Sequence, residues 1–256
     1  MKLRILGCSG AEFPGHRPPS LLLNSKILFD AGSLTNMLSL KDQLRIRDIF
    51  ITHTHLDHIM GIPFLADNLI FGRKKHTVKI ISIPPVIRAI RRNLLDGSIW
   101  PDFTVLPDTH EGILNLTEIE SGHSIKTDDG YTIVPYEVNH SVPATGYLVE
   151  DKEKRRFFYA GDTGPCDLLW EKMRDRQIHC LIMEVSFPNR MERIALETGH
   201  LTPRLLSKEL LKIRPQPEKI FITHVKPQFF KAIRAEVEGM HISRLNFLEG
   251  GKTITV

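Results

Sequence analysis

The run Thr52-His53-Thr54-His55-Leu56-Asp57-His58 constrains this chain more than any other. It follows directly on Asp48–Ile51, a short β-branched and aromatic stretch that reads as a strand. Neutral imidazole nitrogens and carboxylate oxygens are the donors that suit Zn²⁺ and neighbouring divalent ions. His53 and His55 are separated by one residue, so in an extended segment both rings project to the same side. Asp57 and His58 are adjacent and are expected on a turn, where neighbours diverge. Donors so crowded can hardly all reach one ion, so the spacing points to two. A chance histidine cluster would bury several polar groups without partners, which is costly.

The chain has 256 residues, 41% of them hydrophobic and 25% charged. These values suit one globular domain spanning residues 1–256. The net charge of +4 slightly favours an anionic ligand. The basic stretch at Lys152–Arg156 is mixed in sign and reads as a solvated hairpin turn, not a nucleic-acid arm. Cys8, Cys166 and Cys180 are too widely spaced for a zinc ribbon or a disulfide framework, and suit a reducing compartment. Cys180, within an apolar run, is expected in the core. The apolar stretch at the N-terminus is soon broken by Gly7, unlike a signal peptide. No run approaches the ~20 apolar residues of a membrane span. A cytoplasmic protein with no membrane partner is expected.

Short runs rich in Val, Ile, Leu and Phe recur, and each ends at a turn-forming or polar residue. Strands are predicted at Lys2–Leu6, Ser20–Leu23, Ile27–Phe29, Asp48–Ile51, Val78–Ile81, Leu114–Glu118, Thr132–Val138, Thr145–Val149, Arg156–Tyr159, Cys180–Glu184, Lys219–Ile222 and Lys252–Thr255. Helices are predicted at Pro85–Leu95, Cys166–Arg176, Pro203–Ile213 (with Thr202 as N-cap) and Gln228–Val237. Strands thus dominate the first half and alternate with helices in the second. Two sheets face to face with helices outside satisfy the pattern.

The segment THTHLDH resembles the HxHxDH motif of the metallo-β-lactamase superfamily. The resemblance implies an α/β (α+β) fold, a four-layer αββα sandwich with its metals at one edge of the two sheets. It also implies three further ligands at strand ends, and the chain offers a match for each in order. His140 lies in VNHSVPATGYLVE, Asp162 in FFYAGDTGP and His224 in IFITHVKP. Carried over residue by residue, His53, His55 and His140 hold a first metal, Asp57, His58 and His224 hold a second, and Asp162 bridges them. Asp30, in KILFDAG, is either a carboxylate that orients a metal-binding imidazole or a turn-initiating aspartate.

Glu184 ends one predicted strand, and His200 precedes a predicted helix in GHLTP. A carboxylate paired to an imidazole can keep it protonated and aimed, as a general acid must be. His200 could otherwise simply lead into the helix. The pair resembles one found in two phosphodiester-cleaving branches, ribonuclease Z and the class II cyclic-nucleotide phosphodiesterases. THLDHIMG, DGSIWPDF, HSVPATGYLVE, YAGDTGP, EVSFPN, GHLTP and THVKP are more similar to the second, over residues 52–227. The chain departs from ribonuclease Z in lacking a long Gly/Pro- and Lys-rich arm after the HxHxDH motif.

The implied activity is hydrolysis of the 3′ ester of a 3′,5′-cyclic nucleotide such as cAMP, a small anionic phosphodiester. Asp57 orients the attacking water and His200, held by Glu184, protonates the leaving oxygen. Two divalent ions are implied, Zn²⁺ first, with Mn²⁺ and Fe²⁺ also compatible. The resemblance also suggests a homodimer. The rival readings are an RNA phosphodiesterase, another hydrolase on the same scaffold (sulfatase, lactonase or thioesterase), and a non-catalytic metal-binding module. Seven candidate ligands argue against the last, since a structural zinc site is closed by ~4. Trp100, Phe103, Phe187 and Phe229 are read as core before base-stacking residues. His16, His76, His110, His123, His179 and His241 are read as ordinary surface or core histidines.

Overall fold

Along every central strand the side chains alternate between two apolar surroundings, which is the mark of sheets covered on both faces. In Ile27–Phe29, Ile27 and Phe29 face a layer between the two sheets, while Leu28 faces helices outside. In Cys180–Glu184, Cys180 and Ile182 face the same inner layer and Leu181 and Met183 face outward. The structure, a computed structural model, describes residues 1–72, 76–109 and 112–256. His110 therefore lies outside the described residues.

Two seven-stranded sheets result. The first runs in the order Thr253–Thr255, Lys2–Gly7, Ser20–Leu23, Ile27–Phe29, Asp48–Phe50, Val78–Ser82, Leu114–Glu118. The second runs Leu245–Phe247, Lys219–Thr223, Cys180–Glu184, Arg156–Tyr159, Thr145–Glu150, Thr132–Glu137, Ile125–Lys126. The helices Gly61–Ile70 and Pro84–Asn93 pack on the outside of the first sheet, and Asp167–Lys172, Pro203–Lys212 and Phe230–Glu238 on the outside of the second. The four-layer αββα expectation is met. Phe29 anchors the inner layer, with the rings of Phe50 and Phe157 each 5.5 Å away.

Most predicted strands are present within a residue of their expected ends. Leu245–Phe247 and Ile125–Lys126 were not foreseen, because both are short edge strands with little apolar alternation. The first half is more helical than expected. Gly61–Ile70 was hidden by its Gly-Ile-Pro start, yet proline is tolerated in a first turn, and Ile62, Leu65 and Leu69 give it a buried face. Asp57 and His58 lie on one helical turn, Leu56–Ile59, rather than on a non-helical turn. Successive residues of a helix still point apart, so the expected divergence survives the correction. The helix expected at Gln228–Val237 begins as a 3₁₀ turn, Pro227–Phe229, and continues as Phe230–Glu238.

Several ordinary residues behave as expected. Cys180 is fully buried, and burial pushes its thiol up to about 12. The Lys152–Arg156 stretch forms a turn in which the Asp151 carboxylate accepts from the Glu153 and Arg155 amides. His76 is buried but satisfied by the Ile46 carbonyl at 2.7 Å. Among the described residues no helix is long and apolar enough to cross a membrane.

Candidate metal centre

The parallel strands Ile27–Phe29, Asp48–Phe50 and Val78–Ser82 end at one edge of the first sheet, and Arg156–Tyr159, Cys180–Glu184 and Lys219–Thr223 end together in the second. The residues just past these ends meet. Ligand atoms of His53, His55, His140 and Asp162 all lie within 4.8 Å of one another, and so do those of Asp57, His58 and His224. Every residue assigned to a metal from the sequence is thus in one of two adjoining clusters. Oδ2 of Asp162 stands between the clusters, 3.2 Å from His224 Nε2, 3.5 Å from His58 Nε2 and 3.8 Å from His53 Nε2.

Four of the imidazoles are held through one nitrogen. His58 Nδ1 is 2.7 Å from Asp30 Oδ2, and His140 Nδ1 is 2.8 Å from the Gly199 carbonyl. His53 Nδ1 lies 3.0 Å from Thr52 Oγ1, and His224 Nδ1 lies 2.8 Å from Ser186 Oγ. The two hydroxyls donate in turn to Asp30 and Glu184, so each can accept from its histidine. The Nδ1–H tautomer that this network favours leaves the Nε2 lone pairs directed inward. Nε2 of His53, Nε2 of His58 and Oδ1 of Asp162 are buried without a hydrogen-bond partner. His140 Nε2 and His55 Nδ1 face each other at 3.3 Å. Buried acceptors without donors are costly, and a set of converging nitrogen and carboxylate lone pairs is what divalent cations satisfy. The residues present therefore fit the two-ion assignment.

The local charges suit His53 and Asp57 as ligands, whereas His58 must give up a proton that its carboxylate neighbours favour before it can bind an ion. Burial holds His53 well below the ordinary histidine range, favouring the neutral ring a metal needs. Burial would also lower His58, but Asp162 and Asp30 outweigh it and raise the ring well above that range. Burial would raise Asp57, yet the His224 hydrogen bond and the charges around it bring its carboxyl down to about 2.

Backbone geometry explains how the loops come so close. Asp30 and His224 both adopt positive φ, 55° and 59°, an uncommon conformation outside glycine. Gly161 (φ 64°) leaves no room for a Cβ, which would lie 2.8 Å from Thr52, so the loop can bring Asp162 against the His53 segment.

His200 lies beside the clusters, with its ring 5.0 Å from that of His140. Its Nδ1 is 2.7 Å from Glu184 Oε1. Burial works against its charge, but Glu184 prevails and raises it above the ordinary histidine range. The sequence pairing of Glu184 with His200 is thus matched by contact. Phe187 flanks His200 with ring centres 5.7 Å apart, and Phe229 lies 6.2 Å from Phe187. Phe103 is in the core, and Trp100 packs on Phe64 at 5.4 Å.

Sequence reasoning missed Thr52, Tyr159, Ser186 and Gly199. Tyr159 donates to Asp30 Oδ2 at 2.7 Å, which fixes the carboxylate that holds His58. Of Asp30's two readings, the structure therefore supports the imidazole-orienting one. Ser186 had a signal: it lies two residues after Glu184, where an extended chain turns it to the same side.

Two stacked sheets, helices outside and this donor set at their shared edge define a metal-dependent hydrolase of the metallo-β-lactamase fold. The chain belongs to that superfamily, as the family model described as Beta-lactamase superfamily domain matches residues 26–225. It is 30% identical over 209 residues to a probable 3′,5′-cyclic-nucleotide phosphodiesterase of Yersinia pestis, covering 72% of this chain but only 58% of that relative. It is 26% identical over 258 residues to a ribonuclease Z of Methanococcus maripaludis, covering 79% of this chain and 81% of the relative. Among solved structures, unliganded yeast PDE1 matches with a TM-score of 0.82 at 19% identity, covering 100% of this chain and 99% of that one. The short form of human tRNase Z matches at 0.71 and 21% identity, covering 100% of this chain and 99% of that one.

Proposed function

We propose that the chain is a two-metal phosphodiesterase that hydrolyses the 3′ ester bond of 3′,5′-cyclic nucleotides such as cAMP. The observation that carries the phosphodiesterase reading is the buried Glu184–His200 pair beside the ligand clusters, and the similarity of residues 52–227 to the cyclic-nucleotide branch supports the choice of substrate. When the bond from phosphorus to the 3′ oxygen breaks, that oxygen would leave as an alkoxide, which needs a proton, and a carboxylate-held imidazole is built to supply one.

His53, His55 and His140 would hold one ion, Asp57, His58 and His224 the other, and Asp162 both. Divalent ions there would supply Lewis acidity and lower the pKa of water toward neutrality. Zn²⁺ fits this donor set best, with Mn²⁺ and Fe²⁺ as alternatives. Asp57 is a third exposed at its side chain and fully charged at neutral pH, so it can orient the attacking water as well as bind. His200 delivers its proton to the departing 3′ oxygen while Glu184 stabilises the charge on the ring. Ser186, donating to Glu184 and meeting His224, ties the proton donor to the ligand shell.

The ribonuclease Z relatives support a second reading, cleavage of tRNA precursors. Against it, the sequence between His58 and His140 carries no glycine- and proline-rich arm, and is occupied by Gly61–Ile70, Val78–Ser82, Pro84–Asn93 and further strands.

The test is His200→Ala. The variant is expected to keep its metal and to lose about 10²–10⁴-fold in turnover of cAMP. A nitrophenyl phosphodiester, whose leaving group needs no proton, should lose far less. Equal losses on the two substrates would remove His200 from the acid role.

A further inference from the structure

A cavity of 680 Å³ opens beside the metal centre, with His140 in its wall. Pro84, Pro85 and Pro143 give it apolar surface, and Arg88, Glu120 and Glu137 bring charge to it. We propose that this cavity is a nucleobase subsite, in which Arg88 donates to the base and Glu120 and Glu137 accept from it. The proposal deepens the phosphodiesterase reading and rests on it for the position of the phosphate at the metal ligands.

Three observations carry it. First, His140 belongs to both the cavity and the ligand cluster, so the cavity adjoins the metal ligands at that residue. The volume is in the range of sites for molecules of nucleotide size, about 300–1,000 Å³. Second, the cavity is unsuited to another phosphate. The helix Pro84–Asn93 starts at its wall, and a helix start would normally offer free amides to an anion. Here Pro84 and Pro85 have no amide hydrogen, and the Val86 and Ile87 amides both donate to the Ile83 carbonyl, at 3.0 and 3.2 Å. Two carboxylates in the same wall repel a phosphate further. Third, the charges are available. Among the described residues neither Arg88 nor Glu120 nor Glu137 has an ion pair or side-chain hydrogen bond. An uncharged planar group that carries both donors and acceptors on its edge satisfies such a mixed lining, and a nucleobase is such a group.

The experiment is calorimetric binding of 5′-GMP, 5′-AMP and ribose 5-phosphate to the metal-loaded protein. The three share a phosphate and a sugar, so a ratio of dissociation constants isolates the base. At least one nucleotide is expected to bind about tenfold or more tightly than ribose 5-phosphate, the scale of a good paired contact to a base edge. Arg88→Met combined with Glu120→Ala and Glu137→Ala should bring that ratio to within about threefold, and Arg88→Lys alone should keep part of it. Because each ratio is taken within one variant, a general loss of metal or phosphate binding cancels. Equal binding of all three ligands by the native protein would overturn the subsite, as would a ratio that survives the triple change. If cAMP were not hydrolysed yet the ratio appeared and collapsed as described, the cyclic-nucleotide reading would fall while the base subsite stood.

Discussion

Asp30 shows how much of a metal site lies outside its ligands. Its carboxylate accepts from the Thr52 amide, the Thr52 hydroxyl and the Tyr159 hydroxyl, and its Oδ2 faces His58 Nδ1. It is fully buried, so nothing but these partners balances its charge. Asp30→Ala is expected to weaken metal binding about 10–100-fold, as loss of such orienting groups typically does. Competition with a metal-chelating dye would measure it, and an unchanged affinity would mean that packing alone orients His58. At this scale the ligands were legible because each is a polar residue just past an apolar strand, in the order the motif requires. The groups that orient them were less so. Thr52 and Tyr159 resemble ordinary strand residues until the fold sets them around Asp30, and Gly199 acts through a carbonyl, which no side-chain pattern reveals.

Strands were easier to read than helices, for a physical reason. In these two sheets both faces are covered, so each strand is a compact apolar run ended by a polar residue or a turn. Short helices such as Leu56–Ile59 and Glu192–Thr198 lack the length to show a 3.6-residue period, and their positions are set by what surrounds them. Helices with a terminal signal were legible, among them Pro203–Lys212, which has a proline in its first turn and Thr202 as a cap accepting from the Leu205 amide at 3.3 Å. Thr202→Ala should destabilise the protein by about 1 kcal/mol. Urea denaturation followed by circular dichroism would read this as a lower midpoint with an unchanged slope. No shift would show that tertiary packing holds the helix start by itself.

On the scale of the whole molecule, the ligand set spans both sheets. His53, His55, Asp57 and His58 follow a strand of the first sheet, while His140, Asp162 and His224 follow strands of the second. Ions at this seam would bind the folded state alone, so they stabilise it by mass action. Removing them with a chelator should therefore lower the melting temperature. At free metal about 1,000 times the dissociation constant the effect is about 4 kcal/mol. Asp162→Ala should melt near the chelated native protein and respond little to added Zn²⁺. A melting temperature indifferent to chelation would contradict a bound pair of ions.

The central claim is that these residues form a two-metal phosphodiesterase centre, and hydrolysis of 3′,5′-cAMP beside a 3′-extended tRNA precursor tests it most directly. The protein would be loaded with Zn²⁺ or Mn²⁺, with Asp162→Ala as the control. Turnover of cAMP, absent in the control and with the tRNA left intact, is the predicted result. Cleavage of neither substrate, or cleavage of cAMP that persists in Asp162→Ala, would contradict it.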